Sequence, residues 1–210
     1  LALVSLLLLP SVILAQPLDL QFERITTKDG LPNNRVQAIY QDSRGFMWFG
    51  TEDGLNRFDG LAFRTYKYDP ADQASLPHNM VWAIAEDAQG DLWIATEGGG
   101  LARWERSRDR FQRVVLSGTP GLYSRIRTLL FTADGALWLG SKDAGLARFQ
   151  PGTGDLKTYR NDPSDAASLS HDGVYALAPD GAGRLWVGTD GGLNRMDPAT
   201  GHVQRFRHEP

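Results

Sequence analysis

Leu92-Trp93-Ile94-Ala95-Thr96-Glu97-Gly98-Gly99-Gly100-Leu101 decides how this chain is read, because the chain carries the pattern four times. It returns as Met47-Trp48-Phe49-Gly50-Thr51 running to Gly54-Leu55, as Leu137-Trp138-Leu139-Gly140-Ser141 running to Gly145-Leu146, and as Leu185-Trp186-Val187-Gly188-Thr189 running to Gly192-Leu193. Successive tryptophans stand 45, 45 and 48 residues apart. A fixed period of that size marks a repeat architecture, in which each unit buries its apolar face only against its neighbours.

Each period reads as four short strands. The first runs from Val36 to Gln41, with counterparts Val81 to Glu86, Ile126 to Phe131 and Val174 to Ala178, nearly continuous in apolar character as expected of a strand covered on both faces. A turn follows at Asp42-Ser43-Arg44-Gly45, Asp87-Ala88-Gln89-Gly90, Ala133-Asp134-Gly135 and Asp180-Gly181-Ala182-Gly183, where Asp accepts backbone hydrogen bonds and Gly takes the left-handed position. The Trp-bearing second strand comes next, and a third strand carries Leu-x-Arg. A fourth strand ends in Phe63/Tyr66, Phe111/Val114, Leu156/Tyr159 or Val203/Phe206. Four antiparallel strands in a unit of about 45 residues describe a β-propeller blade. The expected fold is all-β, with blades at about 34–67, 79–115, 124–160 and 172–207. Trp48, Trp93, Trp138 and Trp186 are expected to fill the wedges between sheets.

Composition sets the wider limits. The 210 residues carry a formal net charge of −3 with scattered basic residues, which argues against a nucleic-acid partner. With no cysteine, disulfides and thiolate metal sites are excluded. The apolar run Leu1 to Ala15, closing on Ile13-Leu14-Ala15 before Gln16, reads as a secretory signal peptide that begins within its apolar core, so the mature protein is expected outside the cytoplasm. Leu20 to Thr27 reads as an isolated strand resembling the fourth strand of a blade. Connectors of the type Tyr66-Lys67-Tyr68-Asp69-Pro70 recur at Tyr159 to Pro163 and open again at Phe206 to Pro210. A further blade is therefore expected beyond Pro210, the chain being an N-terminal portion of a longer protein, with Leu20 to Thr27 completing its last blade and closing the ring.

Several residues are weighed as chemistry and set aside. His78 and His171 occupy equivalent repeat positions and read as structural, and no pair has metal-ligand spacing. Gly98-Gly99-Gly100 lacks the Lys-Ser/Thr and the helix of a phosphate loop. Arg57, Arg103, Arg148 and Arg195 recur in register and are expected to pair with Asp or Glu between blades. No catalytic residue, cofactor or metal site is assigned. Specificity is instead expected where the repeats differ, at the inner-strand entrances and the loops between second and third strands. The candidate ligand-binding residues are Asn34, Arg35, Asn79, Trp82, Tyr123, Arg125 and Tyr175 at the entrances, with Glu52, Glu97, Lys142 and Asp190 in the loops. Mixed aromatic, Arg and carboxylate groups around a central opening suit a polar ligand with an apolar face, such as an oligosaccharide.

Gly30-Leu31-Pro32-Asn33-Asn34-Arg35-Val36, Asp42-Ser43-Arg44-Gly45-Phe46-Met47-Trp48-Phe49-Gly50-Thr51 and Gly54-Leu55-Asn56-Arg57-Phe58-Asp59-Gly60 closely resemble the two-component regulator propeller repeat. WD repeats would need Gly-His and Trp-Asp pairs, and kelch repeats place their double Gly before the Trp. The resemblance implies a periplasmic seven-bladed propeller that senses a glycan-type ligand in a dimeric receptor. It also implies a histidine kinase or diguanylate cyclase output beyond a membrane helix. Departures from the pattern are Ala95 for Gly, Thr132 for the turn Asp, and Pro179 ending an inner strand, where a bulge is expected. The competing readings are an exported propeller lyase or hydrolase, which would ask Glu52, Glu97 or Asp190 to serve as acid or base, and a secreted interaction scaffold.

Overall fold

The computed structural model describes residues 21–116 and 124–206. The leader at 1–15, Tyr123 and the residues after Phe206 lie outside them. Four four-stranded antiparallel sheets follow one another as simple meanders. The first holds β1 (Val36–Gln41), β2 (Met47–Thr51), β3 (Gly54–Phe58) and β4 (Phe63–Tyr66). The second holds β5 (Val81–Glu86), β6 (Leu92–Thr96), β7 (Gly100–Glu105) and β8 (Arg110–Val114). The third holds β9 (Ile126–Phe131), β10 (Leu137–Ser141), β11 (Leu146–Phe149) and β12 (Leu156–Tyr159). The fourth holds β13 (Val174–Pro179), β14 (Leu185–Thr189), β15 (Gly192–Met196) and β16 (Val203–Phe206). The inner strands β1, β5, β9 and β13 lie side by side, so the sheets are blades set around a common centre.

The hairpin aspartates do two jobs at once. Asp42 Oδ1 accepts from the Arg44 and Phe46 amides, closing the turn, while its Oδ2 accepts from the Trp48 indole at 2.9 Å. Asp87 repeats both, holding the Gln89 and Asp91 amides and the Trp93 indole. The tryptophans so fixed wedge into the next blade. Trp48 is fully buried against Trp104 of the second sheet, ring centroids 4.8 Å apart, in a cluster with Val81, Ile84 and Ile94. Trp93 packs with Leu129, Leu137 and Phe149 of the third sheet, and Trp138 with Val174, Leu185 and Met196 of the fourth. Trp186 is only half-buried, against Phe206 and the Arg195 guanidinium.

Close approach explains the glycine after two of these tryptophans. A Cβ on Gly50 would meet Val81 at 2.6 Å, and one on Gly140 would meet Val174 at 2.7 Å, each the first residue of the next inner strand. Ala95, the departure in the second blade, is accommodated without exposure.

Two expectations are corrected. The recurring arginines do not bridge blades: Arg103 pairs with Asp87 and Asp91, and Arg148 with Asp134, all within their own sheets. Arg57 lies over Phe46 and Arg195 over Trp186, because the third strand sets each arginine beside its own hairpin turn. The buried bridge between the first two blades is made by Arg106, which reaches Asp42 and Glu86 at 3.0 Å each and donates to Gly90 O. Pro179 makes no bulge, since it ends its strand in register opposite Leu185, where no further ladder bond is needed. The segment at about 20–27, expected to complete a blade other than these four, forms no ladder with them over residues 21–26, and Thr27 opens a 3-10 turn. Thr26 and Asp29 cap that turn reciprocally, and no described strand offers the segment an edge.

Candidate functional site

Every inner strand slips register at the same point. Val36 faces Thr51 and Ala38 faces Gly50, which leaves Gln37 as an extra residue, and the same slip isolates Trp82, Arg127 and Tyr175. A bulge releases one side chain from the pleat and re-aims it. Four different side chains are thereby presented at one level of the four inner strands. The loops between second and third strands share that face, because each loop hydrogen-bonds the entrance of the next blade: Gly54 N to Asn79 O at 2.7 Å, Gly98 N to Ser124 O at 3.0 Å, and Gly145 N to Asp172 O at 2.9 Å.

Glu97 ties two bulges together. Its Oε2 accepts from the Trp82 indole at 2.6 Å and from Arg127 at 2.8 Å, while the Arg127 guanidinium lies 3.7 Å above the Trp82 ring. Ion pair, hydrogen bond and cation–π contact hold one rigid cluster across two blades. Partial burial pushes the Glu97 carboxyl upward, but the bonds from Arg127 and Trp82 outweigh it and hold the group below its ordinary range. Glu97 is therefore an ionised anchor, with Oε1 still free to accept.

The other candidates divide. Arg125 stands beside this cluster, paired with Asp143 at 2.8 Å. Tyr175 donates to Asp190 at 3.2 Å, and burial together with that bond raises its phenol above the ordinary range. Arg35 pairs with Glu52 across the first blade, 73% and 23% exposed respectively. Lys142 is exposed on its loop. Asn34 and Asn79 are committed to the backbone, accepting from the Thr27 amide at 3.0 Å and the Tyr68 amide at 2.7 Å, as Asp172 accepts from Asn161. His78 and His171 each accept a local amide through Nδ1. Arg127 and Gln37 were absent from the sequence-based set. Their register equivalence to Trp82 and Tyr175 is the signal that finds them, at the second residue of each inner strand.

A model described as "two component regulator propeller" matches residues 30–53, 75–98 and 168–191. Three segments of this chain are thus two-component regulator propeller repeats. The three matches fall on the first, second and fourth blades. The propeller repeats align with the extracellular domain of a B. thetaiotaomicron protein assigned as a hybrid two component system, at TM-score 0.75 and 27% identity over 89% of this chain and 26% of that one. Virginiamycin B lyase from Staphylococcus aureus, at TM-score 0.65 and 19% identity over 86% of this chain and 58% of that one, shares the fold. A segment of 61 residues, 29% of this chain, is 44% identical to histidine kinase P4 of Formosa agariphila and spans 4% of that protein. The propeller repeats thus span about a quarter of the extracellular domain and a small part of the kinase that they match.

Proposed function

We propose that this chain is part of the extracytoplasmic input domain of a membrane-spanning signalling receptor. It binds a glycan-type ligand on the face carrying the four inner-strand bulges and controls a histidine kinase or diguanylate cyclase output elsewhere in the parent protein. The observation that carries the reading is the bulge itself: an invariant backbone slip, repeated in every blade, presents Gln37, Trp82, Arg127 and Tyr175, four unlike side chains, at one level. Architecture is constant where the blade is built and variable where a ligand is met. The similarity to the extracellular domain and to the histidine kinase supports the placement and the signalling role.

A ligand signals only if it binds two receptor arrangements unequally, and a rearranging dimer supplies two such states. In the same reading the exported chain loses residues 1–15, and the segment at about 20–27 serves as the outer strand of a closing blade. The enzymatic alternative is weaker on geometry. A general acid at pH 7 needs a raised carboxyl, whereas Glu97 is lowered and clamped, and Glu52 is held in an ion pair. The test is a glycan array probed with the protein and its Trp82→Ala and Arg127→Ala variants. Both variants should lose the wild-type signals, and unchanged binding by both sinks the assignment.

A further inference from the structure

Outside Glu97, between the second and third blades, a cleft of about 620 Å³ opens on the same face. Its walls include Tyr68, His78, Arg113, Ser124 and Arg125, with Glu97 at its inner end. The balance of hydrogen-bonding groups is one-sided. Arg113 is exposed and has no hydrogen-bond or ion-pair partner among the described residues. Arg125 spends one terminal nitrogen on Asp143 and keeps the rest of its donor fork. His78 accepts the Met80 amide through Nδ1, which places its proton on Nε2, so the imidazole offers the cleft a donor. Ser124 adds a hydroxyl, and the half-exposed Tyr68 adds a ring beside a phenol. The sole carboxylate among the described lining residues, Glu97, is already paired with Arg127 and accepts from the Trp82 indole. Gly98, whose added Cβ would meet nothing within 4 Å, leaves the floor open.

We infer that this cleft binds the oxyanion of an acidic saccharide, a carboxylate- or sulfate-bearing pyranose, with Arg113 and Arg125 gripping the charged group and Tyr68 lying against the sugar ring. Two guanidiniums facing one cavity without their own full complement of carboxylates match a planar carboxylate or a sulfate ester, which accept paired N–H bonds. The inference rests on the sensing reading and narrows its ligand to acidic glycans, placing the charged group beside the bulge cluster and not within it.

Calorimetric titration of the chain with a tetragalacturonate, a sulfated galactan tetrasaccharide and neutral cellotetraose tests this. At least one acidic ligand should bind ten-fold or more tighter than cellotetraose, weakening as salt rises. Binding of the uronate alone, the sulfate ester alone, or both identifies which oxyanion is taken. Arg113→Gln should reduce that affinity about ten-fold with an unchanged melting curve, since the residue supports no described contact, and Arg125→Gln, which also gives up the ion pair with Asp143, should reduce the affinity similarly. Equal affinity for acidic and neutral ligands, no binding of either acidic ligand, or an Arg113→Gln variant that binds as wild type overturns the inference. A neutral glycan lost on Trp82→Ala but indifferent to Arg113→Gln would leave the sensing reading standing and remove this one. Acidic binding that depends on Arg113 and ignores both Trp82 and Arg127 would do the reverse.

Discussion

Trp138 occupies the slot from which Trp48 and Trp93 each donate an indole N–H to an aspartate, and Thr132 stands where that aspartate would be. The Thr132 hydroxyl turns to Asp134 at 2.6 Å, and the Trp138 Nε1 is buried with no hydrogen-bond partner among the described residues. An unmade bond of this kind costs about 1–3 kcal/mol.

Thr132→Asp should therefore stabilise the chain by about 1–2 kcal/mol. The new carboxylate would find Trp138, and Arg148 is in reach because it stands opposite Trp138 as Arg103 stands opposite Trp93, already bound to Asp87. Urea unfolding of the two proteins measures the gain. A midpoint at or below that of the parent would show that the indole is satisfied some other way.

The bridges between the first two blades should respond unequally. Arg106 is almost fully buried between Asp42 and Glu86, so Arg106→Met strands two carboxylates and should cost about 3–5 kcal/mol. Arg64 reaches Asp109 from the same first blade but is 55% exposed, and Arg64→Met should cost under about 1 kcal/mol. Similar losses in the two variants would contradict the buried bridge.

What the sequence made legible follows from what repeats. Register positions that recur four times, such as Trp48, Trp93, Trp138 and Trp186, announced strands and blades because period and packing coincide. Arg106 was hidden because it occurs once, in a turn, and its partners Asp42 and Glu86 lie in another sheet and another strand. Half of the bulge set was visible as Trp82 and Tyr175. Arg127 and Gln37 were missed because a register slip leaves no mark in composition, and an arginine within an apolar strand reads as an interruption. Asn34 and Asn79 stand at inner-strand entrances, but their side-chain oxygens are spent on the Thr27 and Tyr68 amides, a local use that position along the chain does not reveal.

Acid should loosen the third blade. Bonds from Thr132 and then Arg148 depress Asp134 from 3.8 to about 2. A depressed carboxyl contributes stability that is complete above 3.8 and is lost as pH falls through about 2. Because Asp134 is 54% exposed, solvent screening keeps the effect small. Asp134→Asn should flatten the dependence of the unfolding midpoint on pH between 4 and 2, and an unaltered slope would mean that Asp134 titrates alike in folded and unfolded chains.

The four wedge tryptophans should not be worth the same. Trp48 is sealed by Trp104 and Tyr66, and its indole bond to Asp42 is buried, so Trp48→Ala removes area, aromatic contact and a hydrogen bond together. The expected loss is about 3–5 kcal/mol. Trp186 occupies the same register position but is only half-buried, with Phe206 and Arg195 of its own sheet beside its ring and no described sheet following the fourth. Trp186→Ala should then cost about 1 kcal/mol in this chain. Burial by the following blade, and not the repeat position itself, is what gives the tryptophan its energy. Equal destabilisation by the two variants would place that energy within the single sheet instead.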